Sequence, residues 1–262
     1  MLRTVRASRY VLPLREGGSV PALVEADDLG LYVVKLSGAG QGAKALVAEL
    51  VAGELARAAG LAVPELVFVD VARALAASEP DPEIADPLER SAGINLGLDY
   101  LPGSVGFDPV VSVRPDPATA SRVALVDAFV ANVDRTPRNP NILVWHARLW
   151  LIDHGAALYF HHGWGPDDPL EGSRDPFAEV RAHVLFPWAS AIAAAGEHLA
   201  RVFVPPLFER VVAAIPDAWL VGDRAFVSPE AQRHAYLAWL NARAAALPAI
   251  VHQAQEAYAQ RV

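Results

Sequence analysis

The segment NVDRTPRNPNILVWHARLWLIDHG, residues 132–155, constrains this chain more than any other. Two short apolar runs, residues 142–146 and 149–153, flank Ala147-Arg148 and read as a β-hairpin. An apolar helix over 118–132 precedes them, and a polar, proline-containing loop over 133–140 joins the two parts. Asp134 therefore falls in a loop just after a helix. Asn139 and Asn141 stand before the first strand, and Asp153 ends the second, followed by His154 and Gly155. An acid, a nearby amide and a second acid on the next strand suit phosphoryl transfer. One carboxylate orients or deprotonates the attacking hydroxyl, while the amide oxygen and the second carboxylate hold Mg2+ on the phosphates.

Composition narrows the classes. The chain has 262 residues, 53% of them hydrophobic and 20% charged, enough apolar material for a packed core in one large domain or two small lobes. It has no cysteine, which excludes disulfides, thiolate metal sites and a cysteine nucleophile, and fits a reducing cytoplasm. A net charge of −8 argues against a broad nucleic-acid footprint, which needs a basic face. The N-terminus is basic, but Pro13, Arg15 and Glu16 interrupt any signal-peptide core, and no apolar stretch reaches the roughly 20 residues of a membrane span. The abundance of alanine, leucine, valine and proline points to a GC-rich genome.

The N-terminal half reads as strands over 10–14, 20–25 and 31–36, the third carrying Lys35 near its end. Residues 37–42, SGAGQG, form a loop, and residues 43–59 a helix stopped by Gly60. Strands over 64–71 and 95–101 follow, separated by the acidic segment 77–90, whose three prolines mark an exposed insertion. Residues 102–106 break the pattern. From 177 onward the chain is mostly helical, ending in a long helix from about Pro229.

On the helix over 43–59, Glu54 falls within the apolar arc of Leu46, Val47, Leu50 and Val51, and Glu49 lies just outside it. A glutamate on an apolar face needs a partner. Gly38, Gly40 and Gly42 precede this helix, so their amides are candidates to meet an anion at its N-terminus. The cluster has neither the Gly-Lys-Ser/Thr of a Walker loop nor the glycine spacing of a dinucleotide fingerprint.

Taken together, these motifs resemble the HipA-like kinases of the protein-kinase-like superfamily and, more distantly, the phosphatidylinositol kinases. The resemblance covers about residues 10–160. It rests on Asp134 with Asn139 five residues on, the Asn141-Ile142-Leu143 run, Asp153-His154-Gly155, the lysine strand LYVVK, and Glu49 with Gly60 and Val63-Pro64-Glu65. It implies an α+β, two-lobed kinase-like fold. The N-lobe, a small antiparallel sheet with one helix, would span 1–101; the helical C-lobe, with the catalytic and metal-binding loops, would span 102–262.

The same resemblance implies the site. Lys35 would grip the α- and β-phosphates of ATP and pair with Glu49, with Glu54 the rival. Asp134 would act as base. Asn141, or Asn139, would hold Mg2+ together with Asp153. Gly17, Gly18 and Ser19 would cover the phosphates, and Asp99, Tyr100 and Leu101 would form the hinge that reads adenine. The partners implied are ATP and a protein offering a serine or threonine hydroxyl; Arg135 and Arg138 are candidates to contact an acidic acceptor or a phosphate. A toxin role does not carry over. Three other readings stay open: a pseudokinase that binds nucleotide without chemistry, an AMP transferase, and a small-molecule kinase on the same fold. The crowded histidines, His146, His154, His161 and His162, read as structural rather than as a zinc site, and His154 is placed to orient the Asp153 carboxylate. The six scattered tryptophans read as packing.

Overall fold

The computed structural model describes residues 2–14, 21–40, 42–77, 81–110, 113–165, 168–221, 223 and 225–261. The architecture is mixed α and β. Five strands, β1 (Thr4–Pro13), β2 (Ala22–Ala26), β3 (Leu31–Lys35), β4 (Leu66–Val71) and β5 (Gly93–Asp99), close into a barrel in the order β1-β2-β3-β5-β4. Four seams are antiparallel. The fifth is parallel and pairs Thr4, Val5 and Arg6 with Phe68, Val69 and Asp70. This corrects the expected small antiparallel sheet. The physical reason is the length of β1, which starts at Thr4 and not at residue 10. Its first residues reach β4, its later residues pair with β2, and bulges at Ala7/Arg9 and Tyr10/Leu12 bend it between the two. Closure leaves neither edge strand unpaired.

Strand alternation fills the barrel with side chains. Val5, Val24, Tyr32, Val34, Val67, Val69 and Val71 meet inside it. Gly97, paired with Val34, faces the same interior; a Cβ there would lie 2.7 Å from Val69 Cγ2. Between β4 and β5, α2 (Arg73–Ala77) and α3 (Pro82–Arg90) contribute Ala76 and Leu88 to this core. The segment expected to be an exposed insertion thus carries a fully buried leucine, and the N-terminal half has more than one helix. Here α1 (Ala43–Ala58) packs Leu46, Leu50, Val51 and Leu55 into a second core, shared with Leu96 and Leu98 and with the helices that follow.

The C-terminal half begins with β6 (Val105–Gly106) and α4 (Pro117–Phe129). The start of α4 is specified locally: Asp116 accepts a bond from Thr119 N at 2.9 Å, and Pro117 occupies the first turn. Next come β7 (Ile142–Trp145) and β8 (Arg148–Leu151), which with β6 form a three-stranded sheet. Their turn is His146-Ala147, one residue earlier than expected, because both adopt the positive φ (48° and 57°) that a two-residue hairpin turn demands. The α-helices that follow among the described residues are α5 (Ile192–Val202), α6 (Pro205–Ala213), α7 (Asp217–Leu220) and α8 (Pro229–Ala259). Buried Arg243 on α8 donates to Ala128 O and Phe129 O, at 2.6 and 2.9 Å, and so satisfies carbonyls at the end of α4. Among the described residues no helix is long and apolar enough to cross a membrane.

Candidate active site

Alternation places Lys35. Tyr32 and Val34 point into the barrel, so Lys35 points out, toward α1. Its ammonium is 2.6 Å from Glu49 Oε2 and 2.6 Å from Asp153 Oδ1. Of the two glutamates open on the helix, Glu49 is the one against Lys35, and it is fully buried. Glu54 is partly exposed and lies 3.7 Å from Arg57. The wheel failed to single out Glu49 because α1 is buried almost all round, so an apolar arc carries little information.

Burial is the largest influence on Glu49 and opposes its charge. The Lys35 ammonium and a hydrogen bond with His154 outweigh it and bring the carboxyl down to about 2. Burial likewise opposes the charge on Lys35, yet its two carboxylate partners raise its pKa above the ordinary value. The cluster is therefore a charged one.

Asp134, Asn139 and Asn141 converge. Asn139 Nδ2 donates to Asp134 Oδ2 at 2.7 Å and Asn141 Nδ2 to the same oxygen at 3.2 Å. Ile152 N donates to Asn141 O at 3.0 Å, which seats Asn141 beside the end of β8 and hence beside Asp153. Asn141 and Asp153 both adopt positive φ, 49° and 53°, a conformation that Asn and Asp tolerate better than most residues. A cavity of about 250 Å³ is lined by Lys35, Gly40, Gly42, Asp134, Asp153 and Gly155, among others. The glycines after the lysine strand thus border the space that the acids face. Asp99, Tyr100 and Leu101 do not line it. Tyr100 N instead donates to Leu31 O, fastening the end of β5 to β3. Gly17, Gly18 and Ser19 lie outside the described residues.

Beneath this surface is a polar network that the sequence reading missed. Asp127, on α4, is buried and binds Arg135 Nε at 2.6 Å, His183 Nε2 at 2.9 Å and Asn132 Nδ2 at 2.9 Å. Burial disfavours its charge, but Arg135 and His183 hold it well below the ordinary carboxylate range. Arg135 Nη1 donates to Asn141 O and, at 3.3 Å, to Ile152 O. One guanidinium thus fastens the loop before β7 to the strand end before Asp153. This corrects the expectation that Arg135 meets an acceptor; it is buried, and Arg138 is exposed. A lone Asp inside an apolar helix was the available signal, since a buried charge needs a partner.

His154 is corrected too. Its Nδ1 lies 3.3 Å from Glu49 Oε1, so it serves the glutamate and not the neighbouring Asp153 carboxylate. His161 is buried, with Nδ1 3.0 Å from Tyr236 OH.

One of three comparisons with known proteins gives a family, and another gives a similar fold. A family model described as HipA-like kinase matches residues 9–243. The crystal structure of a Helicobacter pylori proinflammatory kinase, CtkA, is similar in fold. It aligns with a TM-score of 0.52 over 95% of this chain and 97% of that one, at 12% sequence identity. A search of curated proteins found no match.

Proposed function

The chain belongs to the HipA-like kinase family, and from that premise we propose that it transfers the γ-phosphate of ATP to a hydroxyl acceptor, a serine or threonine of a protein. The observation that carries this reading is the single cavity bordered by Lys35, Asp134 and Asp153, with Lys35 held by a buried glutamate. It joins a cation suited to phosphates to two carboxylates suited to proton and metal chemistry.

In this reading residues 1–101 form the nucleotide-binding lobe and 102–262 the helical lobe, with ATP in the cleft. Lys35 binds the α- and β-phosphates, and Glu49 keeps it aimed. The segment Asp99, Tyr100 and Leu101 reads adenine through backbone groups other than the Asp99 and Tyr100 amides, which donate to Glu65 O and Leu31 O. The acceptor oxygen attacks the γ-phosphorus, the bond from that phosphorus to the bridging oxygen breaks, ADP leaves, and the acceptor proton passes to the Asp134 carboxylate. Asn139 holds Asp134 in place. Asn141 and Asp153, with Asn139 adjacent, supply amide and carboxylate oxygens, a donor set that fits Mg2+. When bound, that ion neutralises charge on the phosphates. Most of the rate enhancement comes from positioning and charge neutralisation.

The test is the intact mass of the protein after incubation with ATP and Mg2+, alongside its melting temperature with and without nucleotide. One added phosphate supports the reading, and an added AMP replaces it with nucleotidyl transfer. No mass change and no nucleotide-dependent rise in melting temperature would sink it.

A further inference from the structure

The ring of His154 is buried, one nitrogen faces a carboxylate, and the other has no hydrogen-bond partner among the described residues. The positive φ at Asp153 turns consecutive side chains apart. Asp153 looks out toward Lys35 with a side chain 43% exposed, while His154 points inward at 1%. His154 Nδ1 meets Glu49 Oε1, Glu49 Oε2 meets Lys35, and Lys35 meets Asp153, so three contacts join these four residues in a circuit closed only by the peptide bond between Asp153 and His154.

The chemistry of the circuit fixes the proton. Glu49 is ionised, and a carboxylate only accepts hydrogen bonds, so His154 Nδ1 carries the hydrogen. Nε2 of the same ring is buried without a hydrogen-bond partner among the described residues. A residue needed only for volume would be an apolar ring, which leaves no buried polar atom unpaired. The histidine is therefore explained by its bond to Glu49.

Resting on the phosphotransfer reading above, we propose that His154 is a positioning residue that holds Glu49 against Lys35 when Asp153 is drawn to another partner. Lys35 has two anionic anchors in this structure. Loss of Asp153 leaves only Glu49, whose orientation then depends on the imidazole. Without it, the glutamate gains a rotameric choice and Lys35 loses its aim.

Two measurements test this. Long-range 1H–15N correlation of the histidine rings reports the ring hydrogens independently of turnover: a hydrogen on Nδ1 is expected for His154, and a hydrogen on Nε2 alone overturns the contact. ATP turnover is then compared for wild type, His154→Phe and His154→Asn, each with its melting temperature. Phe keeps ring volume without a donor, and Asn places its Nδ2 near the position of Nδ1. The expected result is a kcat lowered about tenfold in His154→Phe with KM for ATP nearly unchanged, and recovery of most of that loss in His154→Asn. Wild-type turnover in His154→Phe, or equal losses in both variants, overturns the proposal. Absence of turnover in wild type with the expected hydrogen on Nδ1 overturns the phosphotransfer reading, and the positioning role with it, while the contact stands.

Discussion

Lys35 Nζ and Asp153 Oδ1 lie 2.6 Å apart although 118 residues separate them in the chain. One comes from a barrel strand, the other from the residue pair that follows β8. Their meeting brings the lysine strand and the hairpin to one cavity, and it sets different consequences for removing either partner.

Replacing Asp153 with Asn removes a carboxylate that is partly exposed, and Lys35 keeps Glu49. The variant is expected to fold with a melting temperature within a few degrees of wild type. Phosphate transfer, followed by intact mass over time, should fall by roughly a hundredfold or more. Undiminished transfer would remove Asp153 from the mechanism.

Lys35→Met has the opposite balance, because it strands a buried carboxylate. At neutral pH it should cost about 3–5 kcal/mol in urea denaturation. The pH dependence should also change sign. In wild type Glu49 sits at about 2, below its ordinary 4.5, so its contribution is complete above that ordinary value and is lost as pH falls toward 2. In the variant burial raises the Glu49 pKa, so that group's contribution to stability increases as pH falls through it. A stability deficit that does not shrink between pH 7 and pH 4 would contradict the buried pair.

Asp127 is expected to matter for the active loop without touching substrate. Asp127→Ala leaves the Arg135 guanidinium buried and unpaired, which should cost about 3–5 kcal/mol. Arg135 also holds the carbonyls of Asn141 and Ile152, so turnover should fall under conditions where the variant is still folded. Circular dichroism establishes those conditions, and turnover equal to wild type there would limit the network to stability.

Gly97→Ala tests the barrel. The added Cβ would meet Val69 Cγ2 at 2.7 Å and Val67 Cγ2 at 3.1 Å. Such overpacking should cost about 1–3 kcal/mol, read as a lowered urea midpoint with an unchanged slope. A neutral substitution would mean that the barrel interior is looser than its packing indicates.

Legibility in the sequence follows the range of the interaction. The hairpin of β7 and β8, the start of α4 at Asp116-Pro117, the stop at Gly60 and the long C-terminal helix are written in neighbouring residues, and each was readable within a residue or two. So were the residue types of the candidate site, because an acid, two amides and an acid around a hairpin form a local pattern. The partnership of Glu49 with Lys35 was open on the helical wheel, since a helix buried on nearly every side has no informative arc. Asp127 lies inside an apolar helix, where neighbouring residues do not mark its role, and Arg135 reads as facing outward where the fold turns it inward.

By itself, then, the sequence determined which short segments are strands, turns and helices and which polar residues stand at their ends, because backbone preference and side-chain period are local. Tertiary structure decided the parallel seam between β1 and β4, the burial of Leu88, the choice of Glu49, and the Asp127–Arg135–His183 cluster. Each of these depends on which surfaces meet after distant segments pack. A buried charge shows its partner only once that packing has removed the water around it.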